Sequence, residues 1–305
     1  MAQFGLNENR TGVCNICRDP DDDEVLALAS QAQIIISGDD ESTHDRTEVL
    51  RETLTATIIR SMTTTPHPSM IEFAPGLVIR DFVPPLRLRD FKLIAFDMDS
   101  TLINIECVDE IADAVGRKTE VAAITEAAMR GEITDYKDSL RRRVALLKGV
   151  TEADLAHVYR SRLQLNPGAA ELVLACKAAG LKVLLVSGGF TYFAERLRDR
   201  LALDFARSNK LEIVDGSLTG RLLDQSWGDI CDAAMKRETL LRTCSLIGCD
   251  PSQTIAMGDG ANDLDMMSVA GLSVAYHAKP RVRTQAKVAI DRGGLNRLLE
   301  LFELH

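Results

Sequence analysis

The chain has 305 residues, 46% apolar and 27% charged, with a net charge of −9. That is enough length for one large α/β domain or two smaller ones around a sizeable core, and ordinary composition for a globular protein. The acidic balance argues against nucleic acid or an anionic membrane as partner, so a small anionic substrate would need locally placed basic groups.

The charge is uneven. Residues 1–90 hold 8 basic and 15 acidic side chains, a net of −7, and no lysine occurs before Lys92. Cys14 and Cys17 form a C-x-x-C without a second pair or a nearby histidine, and the seven cysteines show no disulfide framework, which points to a reducing compartment. The first 25 residues carry charge and no apolar h-region, and no run of 18 apolar residues occurs, so a cytoplasmic location is expected.

In chain order, 33–37 reads as a short strand and 48–61 as a helix with Leu50, Leu54, Ile58 and Ile59 on one face. Residues 63–68 are a breaker-rich loop. Met70 to Phe73 and Leu77 to Phe82 read as strands flanking Ala74-Pro75-Gly76, with a boundary at Pro84-Pro85. Leu93 to Phe96 is a continuous apolar run of the kind buried in a parallel sheet.

Residues 105–165 read as almost all helical, with Val108, Ile111, Ala112 and Val115 on one face and Gly116 as a stop. Thr151 and Asp154 make a capping box. Asn166-Pro167 is read as an N-cap with Pro at the first helical position, and Gly180 ends that helix. Then follow strand 183–186, helix 192–201, a turn-rich pair around Asp215-Gly216, helix 229–244, strand 254–257, helix 263–269 and strand 272–275. Short buried strands alternating with helices predict an open parallel sheet covered on both faces, with ligands outside the strand carboxyl ends.

Polar clusters fall at those ends. Asp97-Met98-Asp99-Ser100-Thr101 follows the first core strand. Two carboxylates at i and i+2 repel each other and call for a cation or a raised pKa; one can attack phosphorus while the other carries a proton. Alone, such a pair is weak evidence and is more often a helix cap or Asx-turn. Gly258-Asp259-Gly260-Ala261-Asn262-Asp263 follows strand 254–257, and its glycines suit a tight turn while Asp259 and Asp263 add oxygen ligands of the kind magnesium prefers. Ser187-Gly188-Gly189 follows strand 183–186 and offers a hydroxyl and bare backbone N–H groups to phosphate oxygens. Lys236 lies in a predicted helix, where a lone lysine is ordinarily solvated.

These clusters, in this order, resemble the haloacid-dehalogenase-like phosphatases. The helical insert resembles the cap of the phosphoserine phosphatase family, on Glu106-Cys107-Val108-Asp109-Glu110, Glu126 to Gly131 and Ser139 to Val144. The resemblance covers about residues 91–295. Between Met129 and Leu140 the chain carries one residue more than the family pattern, and residues 1–90 do not show the βαββαβ regulatory module of some relatives.

The resemblance implies a HAD-like Rossmannoid parallel sheet with a small helical cap after the first core strand, plus an amino-terminal α+β extension. Its parts would be an extension over 1–88, a catalytic core over 89–104 and 166–305, and a specificity cap over 105–165. It implies magnesium-dependent hydrolysis of O-phospho-L-serine through an aspartyl-phosphate, the last step of serine biosynthesis. Asp97 would be the nucleophile and a metal ligand. Asp99 would be the general acid/base and lend the metal its backbone carbonyl. Asp259 would complete the ligands with Asp263 in support.

Ser187, Gly188, Lys236 and Asn262 would hold the phosphate, Glu106 the substrate ammonium and Arg143 its carboxylate, with Met129 and Tyr136 walling the pocket. A homodimer is compatible with this reading. The rivals are a related phosphatase or phosphotransferase acting on another small ester such as phosphohomoserine, and a retired sensing scaffold, which the intact Asp97, Asp99, Lys236 and Asp259 disfavour.

Overall fold

The structure is a computed structural model, and it describes residues 70–303. Cys14 and Cys17, the strand at 33–37, the helix at 48–61 and the loop at 63–68 lie outside the described residues. Among the described residues no helix is long and apolar enough to cross a membrane.

Among the described residues nine strands form one sheet: β1 (Ile71–Ala74), β2 (Leu77–Ile79), β3 (Leu93–Phe96), β4 (Lys182–Phe190), β5 (Phe205–Val214), β6 (Ser217–Leu223), β7 (Thr254–Gly258), β8 (Leu272–Tyr276) and β9 (Val288–Ile290). Their spatial order is β1-β2-β9-β8-β7-β3-β4-β5-β6. The run from β9 to β5 is parallel throughout, and antiparallel pairs close both edges.

The parallel part explains the continuous apolar runs. Ile94 and Phe96 pack into one core layer and Leu93 and Ala95 into the other, all fully buried. A strand covered on both faces cannot alternate apolar with polar residues.

The strand pair assigned to the extension lies elsewhere than expected. β2 pairs antiparallel with β9, Val78 opposite Ala289, so the core sheet begins at Ile71 and not beyond Pro84-Pro85. The three-residue β9 carries too short a pattern to be seen in the sequence.

Four helices follow β3: α1 (Cys107–Ala114), α2 (Lys118–Met129), α3 (Tyr136–Ala145) and α4 (Glu152–Ser161). Gly116 takes the left-handed conformation beyond α1, and Thr151 and Asp154 form the full capping box of α4. The chain enters and leaves this helical unit side by side, with Ile103 bridged to Leu165.

Asn166 is not the N-cap expected of it. The next helix, α5 (Ala169–Ala178), is preceded by Gly168 at φ 74°. The Asn166 amide instead donates to the carbonyls of Thr101 at 2.8 Å and Ile103 at 3.0 Å on the neighbouring linker. A buried carbonyl without a ladder partner outcompetes the weaker local cap.

The remaining helices are α6 (Thr191–Leu201), α7 (Ala233–Ile247), α8 (Leu264–Val269) and α9 (Pro280–Gln285). Asp232 caps α7 by accepting from the Met235 N–H, and Gly248 at φ 71° ends it. The expected turn at Asp215-Gly216 joins β5 to β6, with both residues at positive φ as a tight hairpin requires.

Candidate active site

β3, β4 and β7 are adjacent and parallel, so their carboxyl ends open onto one place. Three clusters separated by up to 166 positions meet there, around a cavity of about 510 Å³. Its lining includes Asp97, Asp99, Glu106, Tyr136, Arg143, Ser187, Gly188, Asp259 and Asn262. Met129 ends α2, but its side chain lies outside the described residues.

Asp97 leaves β3 buried, with its backbone N–H held by the Met257 carbonyl at 3.0 Å. Carboxylate oxygens of Asp97, Asp259 and Asp263 lie within 4.8 Å of one another. Behind them stands Lys236, fully buried, with Nζ donating to Asp97 Oδ1 at 2.6 Å and to Asp263 Oδ1 at 2.7 Å. It reaches this place because the Asp232 cap fixes where α7 starts, one turn before it.

Asp263 also accepts from the Gly260 N–H at 3.0 Å. Gly258 has to be glycine, since a Cβ there would run into the Asp263 carboxylate.

One lysine cannot balance three clustered carboxylates. Burial, and then the Asp263 charge, push the Asp97 carboxyl well above its usual range despite Lys236. Burial, Asp263 and Glu106 raise Asp259 to about 6. Burial pulls Lys236 down, but the charges of Asp263 and Asp97 outweigh it and keep the ammonium protonated. A divalent cation with a taste for hard oxygen would relieve this excess, and the donor set fits one.

Asp99 stands apart from that trio. Ser100, at φ 57°, turns the chain sharply after it, and Asp99 Oδ1 accepts from the Cys107 N–H at 3.2 Å at the start of α1. Burial first, then the charge of Glu106, raise its pKa to about 7, while the Cys107 hydrogen bonds lower it. A carboxyl poised near neutrality can both give and take a proton.

The helical unit supplies the rest of the cavity's polar lining. Glu106, at its entrance, accepts from the Ser100 hydroxyl at 2.7 Å. Arg143 and Tyr136 come from α3, and the Arg143 Nε is buried without a hydrogen-bond partner. Arg143 is therefore turned inward rather than spread over a solvated helix face.

Two charged lining residues were given no role in the sequence. Asp109, one turn after Glu106 on α1, has an Oδ1 buried without a partner. Lys279 reaches the cavity beside Asp259, and its backbone N–H donates to the Asp259 carbonyl at 3.1 Å. Lys279 belongs to no compact motif, whereas Asp109 sits in the Glu106 to Glu110 segment, three positions after Glu106 and on the same helix face.

The comparisons agree with this geometry. The family model for haloacid dehalogenase-like hydrolases matches residues 91–271. The phosphoserine phosphatase of Albidiferax ferrireducens is 71% identical over 78% of this chain and 99% of its own length. That of a Polaromonas species is 73% identical over 75% of this chain and 98% of its own. A solved structure described as a phospho-aspartyl intermediate analogue of phosphoserine phosphatase is 37% identical, covers 70% of this chain and 99% of its own, and superposes with a TM-score of 0.64.

Proposed function

The chain belongs to the haloacid dehalogenase-like hydrolases, and from that premise we propose that it hydrolyses O-phospho-L-serine to L-serine and phosphate through an aspartyl-phosphate on Asp97. The observation that carries the reading is one cavity whose lining joins an acidic, lysine-backed floor to Glu106 and Arg143 of the helical unit. Phosphate, ammonium and carboxylate of the substrate find complements along it.

The residues divide the work. Lys236 holds Asp97 Oδ1 and so fixes the carboxylate plane for in-line attack on phosphorus. Asp99, protonated in a large fraction of molecules near pH 7, gives its proton to the departing serine oxygen. It then takes a proton from water, whose oxygen attacks the aspartyl-phosphate and restores Asp97. The hydroxyl of Ser187, the glycine backbone after it and the Asn262 amide face the phosphoryl oxygens. Arg143 grips the carboxylate in a two-pronged fork, and Glu106 receives the ammonium.

We assign magnesium to the Asp97, Asp259 and Asp263 carboxylates and the Asp99 backbone carbonyl, Asp263 acting in support. Bound there, it would neutralise the floor and stabilise the charge spread over the phosphoryl oxygens in the transition state. The compartment assigned is the cytoplasm, in keeping with five free cysteines among the described residues.

The test is phosphate release from phospho-amino acids, phosphohomoserine and sugar phosphates, with and without magnesium. Preference for O-phosphoserine, abolished by chelation, is expected. Metal-independent release, or equal rates on sugar phosphates, would refute it.

A further inference from the structure

We propose that Asn209 is a positioning residue that locks the Gly188–Gly189 peptide so that its N–H holds Ser187 Oγ and leaves that hydroxyl's hydrogen for the substrate phosphate; this rests on the phosphatase reading of the site.

β4 and β5 pair in regular register as far as Val186 opposite Arg207, and pairing resumes at Phe190 opposite Asn209. Four steps along β4 match two along β5, so Ser187, Gly188 and Gly189 are extruded from the ladder as a bulge. The bulge delivers these residues to the cavity but strips the Gly188 carbonyl of its strand partner. A glycine pair is the least restrained backbone there is, and the peptide between them can rotate at small steric cost.

Asn209 supplies the missing restraint. It is fully buried, and its Nδ2 donates to the Gly188 carbonyl at 2.7 Å. In a planar trans peptide the C=O and the following N–H point in opposite directions. Holding the Gly188 oxygen against β5 therefore aims the Gly189 N–H the other way, where it donates to Ser187 Oγ at 2.8 Å on the cavity side. A flipped peptide would turn a carbonyl oxygen toward Ser187 Oγ and draw its hydroxyl hydrogen away from the phosphate.

The same amide reaches further. Asn209 Oδ1 accepts from the Cys231 N–H at 2.7 Å, immediately before the Asp232 cap of the helix that carries Lys236. Its two partners, a carbonyl and an N–H, leave the amide one orientation. One side chain thus ties the phosphate loop to the root of the lysine helix, from a strand that contributes nothing else to the site.

The experiment compares wild-type protein with Asn209→Ala, both in excess magnesium. It measures affinity for inorganic phosphate and for L-serine, KM and kcat, and thermal stability. Phosphate affinity should fall about 10- to 100-fold, the reach of one charge-assisted hydrogen bond. L-Serine affinity, read at the helical end, should stay within about twofold.

Equal loss of both affinities, or a lowered melting temperature with both unchanged, would mean a general structural role and overturn the inference. Should Asn209→Ala not fold, the amide NMR signal of Gly189 in the wild-type protein decides: it must shift on titration with inorganic phosphate, and a stationary signal in phosphate-bound protein overturns the inference. Wild-type protein that binds no phosphate would sink the phosphatase reading itself. Normal wild-type binding with an unaffected variant sinks only the role of Asn209.

Discussion

Lys236 Nζ lies 2.6 Å from Asp97 Oδ1 although 139 positions separate the two residues, and both are buried. The contact gives the Asp97 carboxylate a fixed direction and the lysine one of its two anionic partners. Removing one member of such a pair strands the other away from water.

Lys236→Met should therefore leave Asp97 and Asp263 facing each other unneutralised. In chelator the expected loss of stability is about 3–5 kcal/mol, read as a lower urea midpoint. An unchanged midpoint would show that the carboxylates are protonated or hydrated without it.

Asp97→Asn keeps the shape of the site and removes the attacking oxygen's charge. Turnover should fall by on the order of 10³-fold or more. Mass spectrometry of the intact protein should detect no phosphoenzyme, while calorimetry still records O-phosphoserine binding. Near-normal turnover would remove Asp97 from the role of nucleophile.

The proposed mechanism requires Asp99 protonated for its first step, and Glu106 is among the causes that raise its pKa to about 7. Glu106→Gln removes a neighbouring negative charge, which favours the carboxylate and lowers that pKa. The basic limb of the pH profile for phosphoenzyme formation, followed in single turnovers at saturating substrate, should move to lower pH. A limb that stays in place would assign it to another group.

Arg143→Lys keeps the charge and loses the planar fork. KM for O-phosphoserine should rise about 10- to 100-fold, with kcat changed much less. Discrimination against O-phosphoethanolamine, which lacks the carboxylate, should shrink in parallel. Retained discrimination would place the carboxylate elsewhere.

The raised pKa values of Asp259, about 6, and Asp99, about 7, make the metal-free protein sensitive to pH. Each group binds its proton more tightly folded than unfolded, where the value is about 4. Its contribution is full below about pH 4 and is lost as pH rises through 6 to 7. In chelator the melting temperature should climb as pH falls from 8 to 5, and magnesium should flatten the slope. Asp259→Asn should flatten it without metal; an unaltered slope would exclude Asp259 as its source.

The sequence by itself determined the chemistry available and the period of the core. Leu93 to Phe96 is apolar at every position because a parallel strand is covered on both faces, and this was legible directly. So were the three polar clusters, because each is compact and follows such a strand. The Thr151 and Asp154 cap and the Asp215-Gly216 turn were equally local, and they stand where the sequence puts them.

Tertiary structure decided what depends on partners far away in the chain. Strand adjacency brought the three clusters to one floor, and a salt link inside the core turned a lysine that helical spacing would leave in water into the support of Asp97. Asn166 left its expected cap for carbonyls on the opposite linker, and Asn209 found a carbonyl partner in a bulge two strands can form only together. A side chain's own sequence neighbourhood sets its local preferences, but a buried polar group answers to whichever unsatisfied partner the fold brings within reach.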